Sequence, residues 1–485
     1  MVFISVNNQR DDSYSEWMRT KGGEIVVVSC IAREQNNTSL YAYAYVHSLL
    51  TFFRLYSTDE IIALSKTEIS TLLLEYLKYA EQKLDITLNQ RTKHYIPYIS
   101  GYYSLPDHKI IAFTFGNSAV VTSDGDNNRL FKRPQLIKTW MNYAKISGKR
   151  LPVFAVKEYP LHEHQKIMLY PNVDNGIPAK GTENVITTFY KENECTQLNR
   201  QVYRAVITGR RHASQGQYCQ DVADYRIMEN GDIAAALSDG AGGGNCSEYG
   251  ALMNVNAFLS CCEENAPLDQ INDILLDRIT DDHETLTGGT PDGAIQAYAT
   301  LMGVFIKGQR LICLHIGDGI IYGRKQDGSL ESISDAENLY VSNRTYFTIE
   351  SDSDDHLHKI ECDISEYDKI LLLTDGVYNG YKSDDTDEGE ICEKRSQNDD
   401  PVELQSDKPV DSQNDESGNQ PDLRKQFIEN IFSESDRDDF DDVMLAELID
   451  TEEILEYGDD HSAILIDLRK KRQIGDSTQE TVSDN

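Results

Sequence analysis

Short apolar runs bounded by Gly, Asp and Asn recur along the whole chain and predict β-strands. Examples are EIVVVSC at 24, KIIAFTF at 109, DIAAALS at 232, KILLLT at 369 and SAILIDL at 462. Two longer stretches, TEISTLLLEYLKYAEQKL at 67 and PLDQINDILLDRI at 267, space their apolar residues by three and four and predict helices. The mixture predicts an α+β fold.

The order of these runs repeats along the chain at an offset of roughly 200 residues. GEIVVVSC at 23 resembles GDIAAALS at 231, HKIIAFTFGNSAVV at 108 resembles QRLICLHIGDGIIY at 309, and YPLHEHQKIMLYPN at 159 resembles CDISEYDKILLLTD at 362. GTENVITTFY at 181 then resembles GDDHSAILID at 458. We interpret this as a tandem duplication, with one copy at 1–195 and the other at 204–468. The alternative is that 1–195 is an unrelated α+β domain whose strands match by composition.

The larger offset of the last match requires an insertion in the second copy. Residues 381–422 hold fourteen Asp or Glu, four Lys or Arg and no aromatic residue after Tyr381. Such a segment cannot bury enough apolar surface to offset the entropy of ordering it. We therefore expect a disordered acidic insertion, acting as a spacer or as a binding element, and a flexible tail at 469–485.

Charge is divided unequally between the halves of this 485-residue chain, whose net charge is −35. Residues 1–195 hold 22 basic and 20 acidic residues, whereas the rest of the chain holds 24 and 61. This excess of negative charge repels nucleic acid and anionic lipid. Neither a membrane-spanning run nor a signal peptide is found, and the nine cysteines include no CxxC pair. We expect a cytoplasmic protein with no nucleic-acid or membrane partner.

Acidic residues stand at the ends of the apolar runs in the second copy. They are Asp221, Asp239, Asp318, Asp375 and Asp459. If the fold brings these strand ends together, the carboxylates repel one another unless a cation neutralises them. Oxygen ligands without His or Cys suit Mg²⁺ or Mn²⁺ better than zinc.

Several motifs, taken in order, resemble those of the metal-dependent 2C-type Ser/Thr protein phosphatases, in particular the bacterial branch. They are GRRHASQGQYCQD at 209, LSDGAGG at 237, GGTPDGAIQAYATL at 288, HIGDG at 315, LLLTDG at 371 and GDDHSAIL at 458. The resemblance covers about residues 204–468. It implies an αββα sandwich, two mainly antiparallel sheets flanked by helices, and with the duplication it implies two such sandwiches in tandem.

The resemblance also implies roles for individual residues. Asp239 is similar to the carboxylate that bridges two metal ions, and the Gly240 carbonyl to a ligand of the second ion. Asp375 and Asp459 resemble further ligands of the first ion, and these two with Asp239 form the expected catalytic set. Asp221 resembles a residue that holds water, and Asp318 one that contributes to a third, weaker metal position. Two Mn²⁺ or Mg²⁺ ions in such a site acidify a shared water for in-line attack on phosphorus.

Three further residues are candidates for binding the substrate phosphate: Arg210, Arg211 and His212. The resemblance implies phosphorylated protein substrates and a cognate Ser/Thr kinase. One departure is Ala241, which stands where the family often has a His that protonates the leaving oxygen. A catalytically inactive phosphatase-like scaffold or binding protein in a phospho-signalling system is therefore the main alternative. A nuclease or phosphodiesterase is disfavoured because the chain lacks a basic groove.

The first copy lacks carboxylates at the equivalent places. Asp239 corresponds to Cys30 or Ile31, Asp318 to Asn117, Asp375 to Asn172 and Asp459 to Thr182. Neutral side chains cannot compensate two divalent ions. We expect residues 1–195 to be a pseudophosphatase domain that regulates the second copy or orients its substrate.

Overall fold

Antiparallel sheets and covering helices form both halves of the protein. The computed structural model describes the chain except for residues 1, 7–12, 21–22, 33–37, 88–96, 107, 117, 125–126, 132–141, 147–148, 162–165, 172–184, 190–200, 216, 229, 245, 288–294, 336–344, 380–422, 452–453, 455–457 and 470–485. The predicted α+β architecture is confirmed within the described part. The predicted acidic insertion 381–422, together with Asn117, Asn172, Thr182 and almost all of the predicted tail, lies outside the described residues.

The first half contains two five-stranded sheets, a two-stranded sheet and three helices among its described residues. Its strands are β1 (Val2–Val6), β2 (Ser13–Arg19), β3 (Ile25–Ile31), β4 (Tyr98–Leu105), β5 (Lys109–Phe115), β6 (Ala119–Asp124), β7 (Asn127–Phe131), β8 (Asn142–Ile146), β9 (Lys149–Val153), β10 (Ala155–Pro160), β11 (Lys166–Tyr170) and β12 (Val185–Phe189). Its helices are α1 (Thr38–Leu55), α2 (Thr58–Ala63) and α3 (Lys66–Thr87). The five-stranded sheets have the orders β1-β12-β11-β6-β7 and β10-β5-β4-β3-β2, and β8 pairs with β9.

The second half again contains two five-stranded sheets. Its strands are β13 (Val202–Ile207), β14 (Val222–Ile227), β15 (Ile233–Ser238), β16 (Leu301–Lys307), β17 (Arg310–Ile316), β18 (Ile320–Lys325), β19 (Leu330–Asp335), β20 (His358–Asp363), β21 (Tyr367–Leu373) and β22 (His461–Asp467). Its helices are α4 (Arg210–Ser214), α5 (Ser247–Glu263), α6 (Ile271–Thr287), α7 (Ser353–His356), α8 (Asp375–Tyr378), α9 (Leu423–Glu434) and α10 (Asp442–Ile449). The sheet orders are β13-β22-β21-β18-β19 and β14-β15-β16-β17-β20.

Strand order is the same in the two halves. The strands β1, β12, β11, β6 and β7 occupy the places that β13, β22, β21, β18 and β19 occupy in the second half. In the other sheet, β2, β3, β4, β5 and β10 correspond to β14, β15, β16, β17 and β20. Two of the helices, α1 and α3, lie between β3 and β4 in the chain, as α5 and α6 lie between β15 and β16.

The central strands of the second half are buried along their whole length because they are covered on both faces. Every residue of β15, IAAALS, is buried, and α5 packs against it from one side. Every residue of β22, HSAILID, is buried as well, and α10 packs on it. Helix α10 begins after Asp441, whose carboxylate accepts a hydrogen bond from the Met444 amide at 2.9 Å. These strands are therefore buried up to their ends, where packing can hold the following side chains rigidly.

The two halves share their hydrophobic cores. Residues of α1 and of α5 belong to one continuous apolar cluster, in which the Tyr43 and Tyr249 rings lie 6.1 Å apart. A buried ion pair also joins the halves, because Arg204 donates to both carboxylate oxygens of Glu16 at 3.0 and 3.1 Å. The Tyr43 hydroxyl donates to the Cys219 carbonyl oxygen at 2.8 Å. The first half thus contacts the segment that leads to Asp221.

Membrane-spanning helices were not expected from the sequence. Within the described part of the chain, no helix has the length and apolar character needed to cross a bilayer.

Candidate metal centre

Three of the predicted carboxylates meet at one end of the second half. Asp239 follows β15, Asp318 follows β17, and Asp375 follows β21 at the start of α8. Strands β15 and β17 both run antiparallel to β16, so they end at the same edge of their sheet. Strand β21 reaches this place from the other sheet of the second half. One carboxylate oxygen from each of the three residues lies within 4.8 Å of the other two.

Negative charge is concentrated in this cluster. Burial raises the pKa of Asp239 well above its usual range, and the charges of Asp221, Asp375 and Asp318 raise it further. Burial, followed by the charge of Asp318, raises the pKa of Asp375 to about 7. Within the described residues, neither Asp239 nor Asp375 forms an ion pair with Lys or Arg. The fold therefore holds carboxylates together at a cost that a bound cation would remove.

Hydrogen bonds hold the backbone of Asp239 and the carboxylates of Asp318 and Asp375. The Asp239 amide donates to Thr300 Oγ1 at 3.0 Å, and the Thr300 amide donates to the Asp239 carbonyl at 2.8 Å. The Thr345 hydroxyl donates to Asp318 Oδ2 at 2.5 Å, and Asn379 Nδ2 donates to Asp375 Oδ2 at 3.0 Å. Thr300 lies within the motif GGTPDGAIQAYATL, but no role was predicted for Thr300, Thr345 or Asn379. The contacts of the two threonines join residues 61 and 27 positions apart, which the sequence does not reveal.

Asp221 lies just behind the cluster and is almost fully buried. Its Oδ2 accepts a hydrogen bond from the Thr374 hydroxyl at 3.0 Å, whereas its Oδ1 has no hydrogen-bond partner among the described residues. Burial raises the pKa of Asp221 well above its usual range, and the charge of Asp460 adds to that effect. A buried carboxylate oxygen of this kind can accept a hydrogen bond from water at the cluster.

Asp460 was not among the predicted site residues, yet it organises this region. One of its oxygens accepts from the Gly209 amide at 2.6 Å. The other accepts from the Gln220 amide at 2.5 Å and contacts His212 Nδ1 at 2.8 Å. Asp460 thereby ties the segment 209–220 to the start of β22. The only signal in the sequence was the doubled acid of the GDD motif, which did not tell the two positions apart.

The three candidate phosphate-binding residues point to different places. His212 is buried against Asp460, so its position favours a structural role. Arg211 is exposed, and its Nη2 contacts Asp459 Oδ1 at 3.0 Å. Arg210 instead lines a cavity between the two halves. Asp459 itself lies outside the group of three carboxylates whose oxygens lie within 4.8 Å of one another.

Two glycines allow the close approaches that the site needs. The Gly240 amide donates to the Gln220 carbonyl at 3.2 Å, which places Gly240 beside the segment that carries Asp221. At Gly376 an added Cβ would collide with the Asp460 carbonyl oxygen. Glycine at 376 therefore lets α8, with Asp375, start directly against the loop before β22.

The donor set suits a hard divalent cation. All the converging side chains are carboxylates, and no His or Cys belongs to the described three-residue cluster. Oxygen-only sites of this kind favour Mg²⁺, Mn²⁺ or Ca²⁺ over zinc. The shared negative charge and the free Oδ1 of Asp221 are further features that a cation with its water ligands would satisfy.

Several solved bacterial phosphatases resemble about half of this chain. A serine/threonine phosphatase from S. agalactiae has 16% identity and a TM-score of 0.36, and the alignment covers 55% of this chain and 98% of that one. The catalytic domain of the phosphatase PstP in complex with two manganese ions has 16% identity and a TM-score of 0.35, covering 55% and 97%. The Mycobacterium tuberculosis phosphatase PstP/Ppp has 15% identity and a TM-score of 0.35, with the same coverage. No curated protein matches the chain by sequence.

A family model gives the most specific result. Residues 208–404 match the model described as Protein phosphatase 2C. This segment contains Asp221 and the three clustered carboxylates, while Asp459 lies beyond it. Over residues 208–404, the chain is therefore similar to the protein phosphatase 2C family.

Proposed function

We propose that residues 204–468 form a metal-dependent protein serine/threonine phosphatase that hydrolyses phosphoserine and phosphothreonine in proteins. The observation that carries this proposal is the cluster of Asp239, Asp318 and Asp375 in a segment similar to the 2C family. A protein gains no stability from three half-buried, mutually repelling carboxylates, so their retention favours a cation-dependent activity. The substrates imply a Ser/Thr kinase that acts on the same proteins.

The chain's own residues would hold the metal ions and orient the attacking water. Asp239, Asp318, Asp375 and Asp459, with the Gly240 carbonyl, would hold two Mn²⁺ or Mg²⁺ ions, and Asp318 would also contribute to a third, weaker position. Such ions, when bound, supply acidification of water and polarisation of the phosphate oxygens. Asp221 would orient the attacking water through its unpartnered Oδ1. Hydrolysis by water requires no covalent phosphoenzyme.

On the substrate side, Arg211 is the best placed of the predicted phosphate ligands. Its guanidinium is half exposed and already lies beside Asp459, so it can reach a phosphate that approaches the cluster from solvent. Ala241 offers no proton for the leaving Ser or Thr oxygen. We therefore expect phosphate esters with good leaving groups to be hydrolysed faster than phosphoserine.

For residues 1–195 we propose a degenerate copy of the same fold that positions the active half. Support comes from the identical strand order in both pairs of sheets. Where Asp239 follows β15, the corresponding strand β3 ends in Cys30 and Ile31, which are buried and carry no charge. The hydrogen bond from Tyr43 to the Cys219 carbonyl connects this half directly to the segment before Asp221.

One observation favours an inactive scaffold as the second candidate. Asp459, a proposed ligand, is engaged by Arg211 instead of turning toward the three clustered carboxylates. If this ion pair persists in solution, it competes with metal binding. The protein would then recognise a partner without hydrolysing phosphate.

Activity with and without metal distinguishes the two candidates. Hydrolysis of p-nitrophenyl phosphate and of a phosphothreonine peptide should be measured with Mn²⁺, with Mg²⁺ and with EDTA. An active enzyme releases phosphate with either cation and stops in EDTA. Absence of turnover with both substrates and both cations, in a folded protein that still binds Mn²⁺, would leave the scaffold as the better account.

A further inference from the structure

A cavity of about 330 Å³ lies between the two halves, and none of the three clustered carboxylates lines it. Its walls come from β2 and α1 of the first half, and from α4, α10 and the segment before Asp221 in the second. Among the lining residues are Trp17, His47, Arg54, Arg210, Cys219 and Asp450. The cavity therefore exists only where the two halves meet, and its volume suits a small molecule.

Two arginines of this cavity have no carboxylate within ion-pair distance among the described residues. Neither Arg54 nor Arg210 forms a hydrogen bond or an ion pair through its guanidinium with any described residue. The other charged groups of the lining are already engaged, since Arg204 binds Glu16 and Arg19 pairs with Glu447. In a chain with 81 acidic and 46 basic residues, it is unexpected that two neighbouring arginines have no described carboxylate at ion-pair distance.

The electrostatic surroundings of Arg54 combine the positive charge of Arg210 with carboxylates that lie beyond ion-pair distance. Arg54 is partly buried, and burial lowers the pKa of its guanidinium. The charges of Asp450, Cys219 and Asp460 oppose this effect, although no described carboxylate comes within ion-pair distance of the Arg54 guanidinium, and the positive charge of Arg210 lowers the pKa further. The Asp450 carboxylate instead lies 3.4 Å from His461 Nε2. A bound anion would relieve the repulsion between the two arginines.

We propose that the cavity between the halves binds a small phosphate-bearing anion through Arg54 and Arg210. Guanidinium groups bind phosphate oxygens in pairs, and two of them match the charge of a phosphate dianion. Arg210 is exposed, so the ligand can enter from solvent. The apolar side chains of Trp17 and Leu50 in the same wall can cover a carbon skeleton attached to the phosphate. None of the proposed metal ligands lines this cavity.

The ligand could be free phosphate or an organic phosphate monoester, and two probes distinguish these sources. Inorganic phosphate represents the product of the proposed reaction, and phenyl phosphate represents an organic monoester. Binding of each probe to the full-length protein should be measured by calorimetry in EDTA, which removes any metal from the carboxylate cluster. We expect saturable binding of phenyl phosphate, with tighter binding than inorganic phosphate if the apolar wall contributes. The reverse order would assign the site to free phosphate.

Matched variants locate the binding. Arg54→Gln and Arg210→Gln should each weaken binding at least tenfold, whereas Arg437→Gln, which removes an exposed charge elsewhere, should leave it unchanged. Asp239→Asn should bind both probes like the wild type, so failure of the proposed phosphatase activity does not affect this result. In the wild type, phenyl phosphate should protect Arg54 and Arg210 from phenylglyoxal. The proposal would be overturned if neither probe bound saturably to the wild type. It would also be overturned if binding were unchanged in both Arg54→Gln and Arg210→Gln.

Discussion

The hydroxyl of Tyr43 donates a 2.8 Å hydrogen bond to the carbonyl oxygen of Cys219, and so connects the first half to the segment that carries Asp221. Both residues are buried, and the Tyr43 ring packs 4.1 Å from the His47 ring. Burial raises the pKa of Tyr43 well above its usual range, so its hydroxyl remains a donor at every physiological pH. The contact offers a physical route by which the first half can set the position of Asp221.

Tyr43→Phe removes this hydrogen bond and keeps the ring. We expect a loss of about 1 kcal/mol in the free energy of unfolding, and a several-fold rise in the Mn²⁺ concentration that gives half-maximal hydrolysis. Tyr102→Phe is the matched control, because Tyr102 donates to Thr187 at 2.7 Å within the first half. It should lose similar stability without a change in metal dependence. Equal metal dependence in both variants would argue against positioning by Tyr43.

The buried pair Glu16–Arg204 should behave differently from a surface ion pair. Glu16→Leu leaves the Arg204 charge buried without this partner, and we expect it to cost about 3 kcal/mol or more. The double variant Glu16→Leu/Arg204→Leu should cost clearly less than the sum of the two single changes. The exposed pair Arg310–Glu361 is the control, for which the coupling should stay below about 1 kcal/mol. Chemical denaturation of all variants measures the coupling, and additive costs at Glu16 and Arg204 would contradict the account.

Acid should destabilise the contact between the halves through His47. Burial lowers the pKa of His47 to about 3, with Arg204 contributing and Asp460 opposing. Below its ordinary pKa of about 6.5, His47 takes up a proton in the unfolded chain but stays neutral in the folded protein. The free energy of unfolding therefore decreases as the pH is lowered. Between pH 6.5 and 5 the loss from this one group is about 2 kcal/mol.

Unfolding of the wild type and of His47→Gln at the two pH values checks this. The variant should lose about 2 kcal/mol less than the wild type over this range. His108→Asn, a change at an exposed position, should follow the wild type. Parallel losses in the wild type and His47→Gln would show that His47 is protonated in the folded state.

Much of the second half could be predicted from its sequence. Asp239, Asp318 and Asp375 each follow an apolar run, and alternating chain direction brings the ends of β15 and β17 to one edge. The separate roles of Asp459 and Asp460 could not be predicted, because the sequence does not distinguish two adjacent acids. Only the fold shows that Asp460 contacts Gly209 and His212. The same holds for Arg210 and Arg211, whose neighbouring side chains point to a cavity and to Asp459.

Contacts between the halves could not be predicted from the sequence. Glu16 and Arg204 are far apart in the chain, and each looks like an ordinary surface charge within a strand. The repeat predicted which strands correspond, and the structure has the same strand order in both halves. It could not predict that α1 and α5 share one core, since helix packing between domains depends on shape and not on periodicity.

Removing one charge from the cluster should have opposite effects with and without metal. The pKa of Asp375 is raised to about 7, so the metal-free protein loses stability as pH rises from the ordinary Asp range through 7. At pH 8 and in EDTA, Asp375→Asn should therefore melt at a higher temperature than the wild type. In saturating Mn²⁺ the order should reverse, because binding to the native state stabilises the wild type more. The same order of melting temperatures in both conditions would mean that Asp375 does not hold the ion.

The most direct test of the carboxylate cluster as a metal-dependent catalytic centre is phosphate release by the Asp239→Asn/Asp375→Asn variant. Turnover of p-nitrophenyl phosphate and of a phosphothreonine peptide should be measured in saturating Mn²⁺ beside the wild type and an Asp442→Asn control, in which a buried Asp far from the cluster is changed. Loss of two charged ligands weakens the ions and raises the pKa of their water, so we expect turnover to fall roughly 100-fold or more while the protein stays folded. Near-wild-type Mn²⁺-dependent turnover by the double variant would contradict the proposed centre.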